Sequence, residues 1–175
     1  KIMEFNTKSI FVAMVGKPNV GKSSLMNLIL GEKIAIVTQK PQTTRTSITG
    51  ILTKGATQFV FMDTPGIHTP RTKLGERMVK TSHKTIADVD LAVMIFEPYG
   101  ELNEAEMSLV DSIKKNRIPA IAVVNKKDTL KKDADLEKQM KMLGEIGVFD
   151  KVVATSAKNN DGVEELLALI DSYAM

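Results

Sequence analysis

Eight consecutive residues, Gly16-Lys17-Pro18-Asn19-Val20-Gly21-Lys22-Ser23, satisfy the pattern G-x-x-x-x-G-K-[ST] at every fixed position. The pattern constrains a fold as well as a site, because it needs a strand before it and a helix after it. Both neighbours fit. Residues 9–15 (S-I-F-V-A-M-V) form an apolar, partly β-branched run and predict a buried strand, and residues 24–30 (S-L-M-N-L-I-L) are rich in helix formers. In that context Gly16 and Gly21 let the backbone turn so that successive N–H groups face phosphate oxygens. The helix beginning near Ser24 adds its positive end. Lys22 supplies a point charge for terminal phosphates, and the Ser23 hydroxyl can ligate Mg²⁺. The plain alternative is a glycine-rich turn that happens to precede a lysine.

The rest of the chain alternates in the same way. After Gly31 comes a polar, Thr-rich stretch, 32–45, which reads as a loop. Residues 47–52 and 58–62 read as two strands joined by a turn at 54–57, hence a hairpin. Residues 72–86 carry Leu74, Met78, Val79 and Ile86 at helical spacing. A buried strand is predicted at 91–96, and a helix capped by Asn103 runs to 115 with Met107, Val110 and Ile113 on one side. Strands at 119–124 and 151–154 flank a helix at 135–146, and a last helix, 161–173, is predicted with Asp161 as its cap. Six apolar strands among amphipathic helices imply an α/β fold. Its sheet is mostly parallel with one antiparallel strand, and helices cover both faces. Functional loops then lie beyond the carboxyl ends of the strands. At 175 residues the chain suits one domain, and its lack of cysteine excludes disulfides and thiolate metal sites. No apolar run approaches a membrane span. The net charge of +3 is compatible with an anionic partner without arguing for one.

Three further motifs each follow a predicted strand. Asp63-Thr64-Pro65-Gly66 could hold Mg²⁺ through Asp63 and bring the Gly66 N–H to a terminal phosphate; alone it is also a plausible turn. Asn125-Lys126-Lys127-Asp128 has the chemistry to select a base. The Asp128 carboxylate accepts two hydrogen bonds from guanine, whereas adenine would leave it unpaired, and the Lys126 stem covers the base plane. In Ser156-Ala157-Lys158 the Ala157 N–H can donate to the guanine carbonyl. Either of these last two could be a charged surface loop if isolated. As an ordered set at strand ends, the motifs imply a guanine nucleotide and Mg²⁺ site.

This set resembles the Ras-like P-loop GTPases from end to end. Within them, G-K-P-N-V-G-K-S-S-L-M-N at 16–27 is similar to the translation-associated branch. P-Q-T-T-R-T at 41–46, D-T-P-G-I-H at 63–68 and Ser156-Ala157-Lys158 most resemble its Era-like members. The resemblance implies the three-layer Ras-like fold and a GTP-hydrolysing switch. Its nucleotide contacts run from Gly16 to Ser24, from Asp63 to Ile67, through Asn125, Lys126 and Asp128, and through Ser156, Ala157 and Lys158. Ser23, Asp63 and Thr44 are its implied Mg²⁺ ligands, with Thr43 the alternative to Thr44. Lys22, Thr44, Gly66 and Asn19 are its implied catalytic positions. Ras-type enzymes place a Gln after the D-x-x-G glycine to orient water; Ile67 stands there and cannot, so slow intrinsic turnover is expected. Asn19 in related members helps bind K⁺, and the alternative is that it only shapes the loop.

The same resemblance implies ribosomal RNA and the small ribosomal subunit as partners, mainly through a C-terminal KH-type domain. These 175 residues stop before such a domain. The chain opens at Lys1 and closes at Met175 straight out of an apparent helix, which reads as a piece of a longer protein. It further implies a monomer in the cytoplasm, with peripheral association at the inner face of the cell membrane. Lys73, Arg77, Lys80 and Lys84 make a basic stripe at helical spacing, which is either an anionic-partner surface or a solvated helix face. Three alternatives to an Era-type switch remain. One is another branch member, acting in tRNA modification or carrying two G domains. A second is a module regulated by nucleotide occupancy with negligible hydrolysis. The third, an ATP-dependent P-loop enzyme, gives Asn125 and Asp128 no role.

Overall fold

The computed structural model describes residues 7–17, 20–31, 47–63, 86–126 and 133–175. Among them it contains six strands: β1 (Lys8–Gly16), β2 (Ser47–Lys54), β3 (Thr57–Asp63), β4 (Leu91–Phe96), β5 (Ala120–Val124) and β6 (Lys151–Ala154). Four helices alternate with them: α1 (Lys22–Leu30), α2 (Glu104–Asn116), α3 (Asp133–Glu145) and α4 (Val163–Asp171). The strands form one sheet in the order β2-β3-β1-β4-β5-β6. All neighbours are parallel except β2, which returns antiparallel along β3 with an irregularity between Ile48 and Gly50.

The period of two in each strand sorts the core into two halves. Ile10, Val12 and Met14 of β1, Phe59 and Phe61 of β3, and Leu91, Val93 and Ile95 of β4 face one way. They pack with Leu25, Met26 and Ile29 of α1 and Val163, Leu166 and Ile170 of α4. The alternate residues, Ala13, Val15, Val60, Met62, Ala92, Met94 and Phe96, face the other way. They pack with Leu109, Val110 and Ile113 of α2 and Leu143 of α3. A sheet buried on both faces explains why all of β4 and β5 reads as unbroken apolar sequence. The result is the three-layer α/β architecture expected.

Two local expectations fail. Met107 does not join the buried stripe of α2; it is 57% exposed. It stands two residues, and so about 200° around the helix, from Leu109, while Ala105, Leu109 and Ile113 repeat every fourth residue and are buried. Asp161 does not cap the last helix. Its backbone exchanges hydrogen bonds with Ser156 at 2.9 and 3.0 Å, which holds it outside α4. Gly162 takes the cap position in the left-handed conformation, with no side-chain bond.

Chain direction places the carboxyl ends of the five parallel strands on one edge. Order reverses at β1, whose neighbours β3 and β4 carry the chain to opposite sides, and such a switch point opens a crevice. At the far edge, Ser9 and Met175 exchange both backbone hydrogen bonds, at 3.0 and 3.3 Å.

Candidate nucleotide-binding site

Gly16 ends β1 in register with Ile95 of β4, and Met14 is in register with Asp63, the last residue of β3. Asn125 follows β5 directly; its N–H donates to the Phe96 carbonyl at 3.0 Å. Thr155 follows β6 and donates to the Val124 carbonyl at 2.8 Å. The strand ends thus bring Gly16, Asp63, Asn125 and Thr155, from which the four motif sequences set out, to one edge.

The loop's glycines are required by what surrounds them. A Cβ on Gly16 would sit 2.7 Å from Val20 Cγ2, closer than real Cβ atoms approach, and a tight 3.2 Å from the Ile95 carbonyl. Gly21 has φ of +94° and would drive a Cβ into the Asn125 amide. It is also the N-cap of α1, without a side-chain hydrogen bond and with no acidic residue in the first turn. A bound anion is the natural partner for such a helix start. Lys22 and the exposed Ser23 open α1 at that point.

Asn125 fastens three motifs together. Its side chain is buried at 1% exposure. Nδ2 donates to the Val20 carbonyl at 2.8 Å, and Oδ1 accepts from Thr155 Oγ1 at 2.9 Å and from the Ala157 N–H at 3.3 Å. So the Ala157 N–H, expected on a guanine carbonyl, makes a long bond to Asn125 here. Lys126 adopts φ of +63°, rare outside glycine, and a Cβ on Gly21 would lie 3.7 Å from its Cε. Its stem therefore runs beside the loop. Ser156 is buried and accepts from the Asn159 N–H at 3.2 Å.

Three contributors escaped the sequence reading. Thr155 is fully buried and shapes Asn125. Glu97 and Glu106 face Lys17, with its Nζ 3.6 Å and 3.8 Å from their carboxylates. Burial pushes the Glu106 carboxyl above its ordinary range; the Asn103 N–H and Lys17 pull it down, and Glu97 pushes it up. A signal existed for Glu97, which directly follows the strand paired with β1. Pro18, Asn19, Thr43, Thr44, Thr64, Pro65, Gly66, Ile67, Lys127 and Asp128, each expected at the site, lie outside the described residues, as do the loop at 32–45, the basic stripe and most of the 72–86 helix. So does the side chain of Asp63. Among the described residues no group of acidic or histidine side chains forms a ready metal cage, and no helix is long and apolar enough to cross a membrane.

A mostly parallel sheet reversing at a strand–phosphate-loop–helix unit, with an asparagine fastening that loop to the segment after β6, defines the class of P-loop nucleotide-binding domains with guanine-type motifs. Residues 11–126 match the family model of the 50S ribosome-binding GTPases, and the chain belongs to that family. It is similar to GTPase Era: 42% identical over 166 residues to that of Clostridium novyi (strain NT), covering 95% of this chain and 56% of the relative. The chain thus spans about half the length of the curated relatives it matches. Among solved structures it resembles Era in complex with MgGDPNP and nucleotides 1506–1542 of 16S ribosomal RNA. The TM-score is 0.81 at 29% identity, covering 97% of this chain and 58% of the other. It also resembles Aquifex aeolicus Era bound to GDP and AlF4⁻, with a TM-score of 0.79 at 29% identity and the same coverage.

Proposed function

We propose that this chain is the nucleotide-binding unit of an Era-type switch that binds GTP with Mg²⁺ and hydrolyses it to GDP and phosphate. The observation that carries the reading is Asn125. One buried amide holds the phosphate loop at Val20 and the second base-side loop at Thr155 and Ala157. A chain that only happened to contain these motifs would have no reason to tie them together.

In this reading the backbone N–H groups of Lys17 and of Asn19 to Ser24 surround the phosphates, with Gly16, Pro18, Asn19, Val20 and Gly21 giving the loop its path. Lys22 neutralises the terminal phosphates. Asp128 reads the guanine edge, Lys126 covers its face, and Ser156, Ala157 and Lys158 close its carbonyl side. Hard oxygen donors suit Mg²⁺, and the Ser23 hydroxyl on α1 with Asp63 at the end of β3 fits that requirement, Thr44 completing the set. When bound, Mg²⁺ would offset charge on the β- and γ-phosphates. Thr64, Pro65, Gly66 and Ile67 form the second switch. Gly66 offers its N–H to the γ-phosphate, and Ile67 leaves water to be oriented by backbone or by another side chain. Asn19 binds K⁺ beside the phosphates. The relatives' resemblance supports ribosomal RNA and the small subunit as the partners of the whole protein, through a KH-type domain beyond these residues. The same proposal takes the protein as a cytoplasmic monomer with peripheral association at the inner face of the cell membrane.

The test is nucleotide binding and phosphate release with Mg²⁺, comparing GTP with ATP and KCl with NaCl. GTP-selective binding with faster release in KCl is expected. Asp128→Asn should move preference toward xanthine nucleotides. Equal affinity for GTP and ATP would sink the guanine reading, and equal rates in the two salts would remove the K⁺ role of Asn19.

A further inference from the structure

Lys17 occupies a variable position of the phosphate loop, and its two ends do different things. Its carbonyl accepts from the Val20 N–H at 3.4 Å, within the turn of the loop. Its ammonium meets Glu97 at 3.6 Å and Glu106 at 3.8 Å. The two carboxylates reach it from different elements. Glu97 directly follows β4, and its carbonyl accepts from Gln139 Nε2 of α3 at 3.3 Å. Glu106 is the third residue of α2, whose side chain accepts from the Asn103 N–H at 2.9 Å while Asn103 Oδ1 accepts from the Glu106 N–H at 2.7 Å. The loop, the end of β4 and the start of α2 therefore meet at one ammonium, and α3 reaches the same place through the Glu97 carbonyl.

The placement of Glu106 asks for an explanation. Its side chain is 2% exposed, against 28% for Glu97 and 25% for Lys17. Glutamine closes the same capping box as glutamate, so the cap alone needs no charge. A carboxylate buried beside a second carboxylate is costly unless a cation is fixed next to it. The Asn103 N–H and then Lys17 favour the ionised carboxyl, and of the two only Lys17 has nothing to gain from a neutral glutamine.

We propose that Lys17 is a positioning residue: held between Glu97 and Glu106, it pins the phosphate loop to the start of α2 and slows departure of bound nucleotide. This rests on the guanine-nucleotide reading above. Lys17 acts through the loop backbone that Val20 and Gly21 continue, while Lys22 carries the charge for the phosphates. The groups facing Glu106 are Lys17 from the loop, Glu97 from the end of β4 and the Asn103 N–H from its own cap. Glu101 and Gln139 line the same crevice. The carboxyl of Glu106 titrates above its ordinary value. Ionisation therefore works against folding as pH rises through that range, and removing the charge should not lower stability.

The experiment is stopped-flow dissociation of a fluorescent GDP analogue with Mg²⁺, between pH 5 and 8, on the chain and its variants. Lys17→Ala should raise the off-rate about fivefold to tenfold, and Lys17→Arg should restore it to within about twofold. Glu106→Gln keeps the capping box and should raise the off-rate about threefold, with an unchanged or higher Tm. Wild-type dissociation should accelerate as pH falls and Glu106 protonates; the ratio of Glu106→Gln to wild type should then approach one. Lys17→Ala combined with Glu106→Gln should be no faster than Lys17→Ala alone. Wild-type kinetics in Glu106→Gln across the pH range, or fully additive effects in the double variant, would overturn the proposal. If the unaltered chain bound no guanine nucleotide, the functional reading itself would fall instead.

Discussion

The starts of α1 and α2 solve the same physical problem in opposite ways. Every helix begins with N–H groups that lack intrahelical partners. At α2 the protein satisfies them itself: Asn103 and Glu106 close a reciprocal capping box, and Glu104 and Glu106 set negative charge in the first turn. At α1 it does not. The cap is Gly21 in a left-handed conformation, which has no side chain to bond the first turn, and no acid stands in that turn. The helix that needs nothing from outside is closed by its own residues. In the proposed function the helix after β1, opening at Lys22, takes its partner from the bound nucleotide.

Three variants would break or sharpen that contrast. The largest effect is expected from Gly21→Ala. Its Cβ meets the Asn125 amide at a φ that disfavours alanine, which costs about 2–4 kcal/mol and should weaken GDP binding about a hundredfold by calorimetry. Retained affinity would show that the start of α1 tolerates an ordinary cap. Asn103→Ala should act on stability instead: about 1 kcal/mol is lost and Tm falls by about 2–4 °C, with GDP affinity within about threefold of wild type. A loss of affinity equal to that of Gly21→Ala would erase the distinction. The smallest effect is expected at α4, where Gly162 also caps without a side chain but Glu164 and Glu165 occupy the first turn. Replacing both with Gln should cost about 0.5 kcal/mol in urea unfolding at low salt and less at high salt. No salt dependence would mean that these acids do not serve the helix end.

What the sequence disclosed, and what it did not, follows the range of the interactions. The sheet was legible because burial on both faces leaves continuous apolar runs such as 91–96 and 120–124, and the phosphate loop because its glycines are fixed in spacing. Asn103 was legible because its partner Glu106 lies three residues away. Asp161 was misread because the pairing that excludes it from α4 is with Ser156, across a turn that periodicity does not describe. Met107 was misread because steps of three drift around a helix. The Lys17 contacts were invisible for a simpler reason: Glu97 and Glu106 are about 80 and 90 residues away in sequence, and only the pairing of β1 with β4 and the crossover to α2 bring them near.

The hydrogen-bonded pairing of Ser9 with Met175 has a practical consequence for how this chain can be rewired. Residues that exchange both backbone bonds have Cα atoms about 5.5 Å apart, so a short glycine linker could join residue 175 to residue 9 without moving either. New ends could then be opened at Gly55, in the exposed turn between β2 and β3. The permuted order would keep every strand neighbour. It would also put both new ends, and any reporter fused to them, at the far edge of the sheet, about 23 Å along β1 from Gly16.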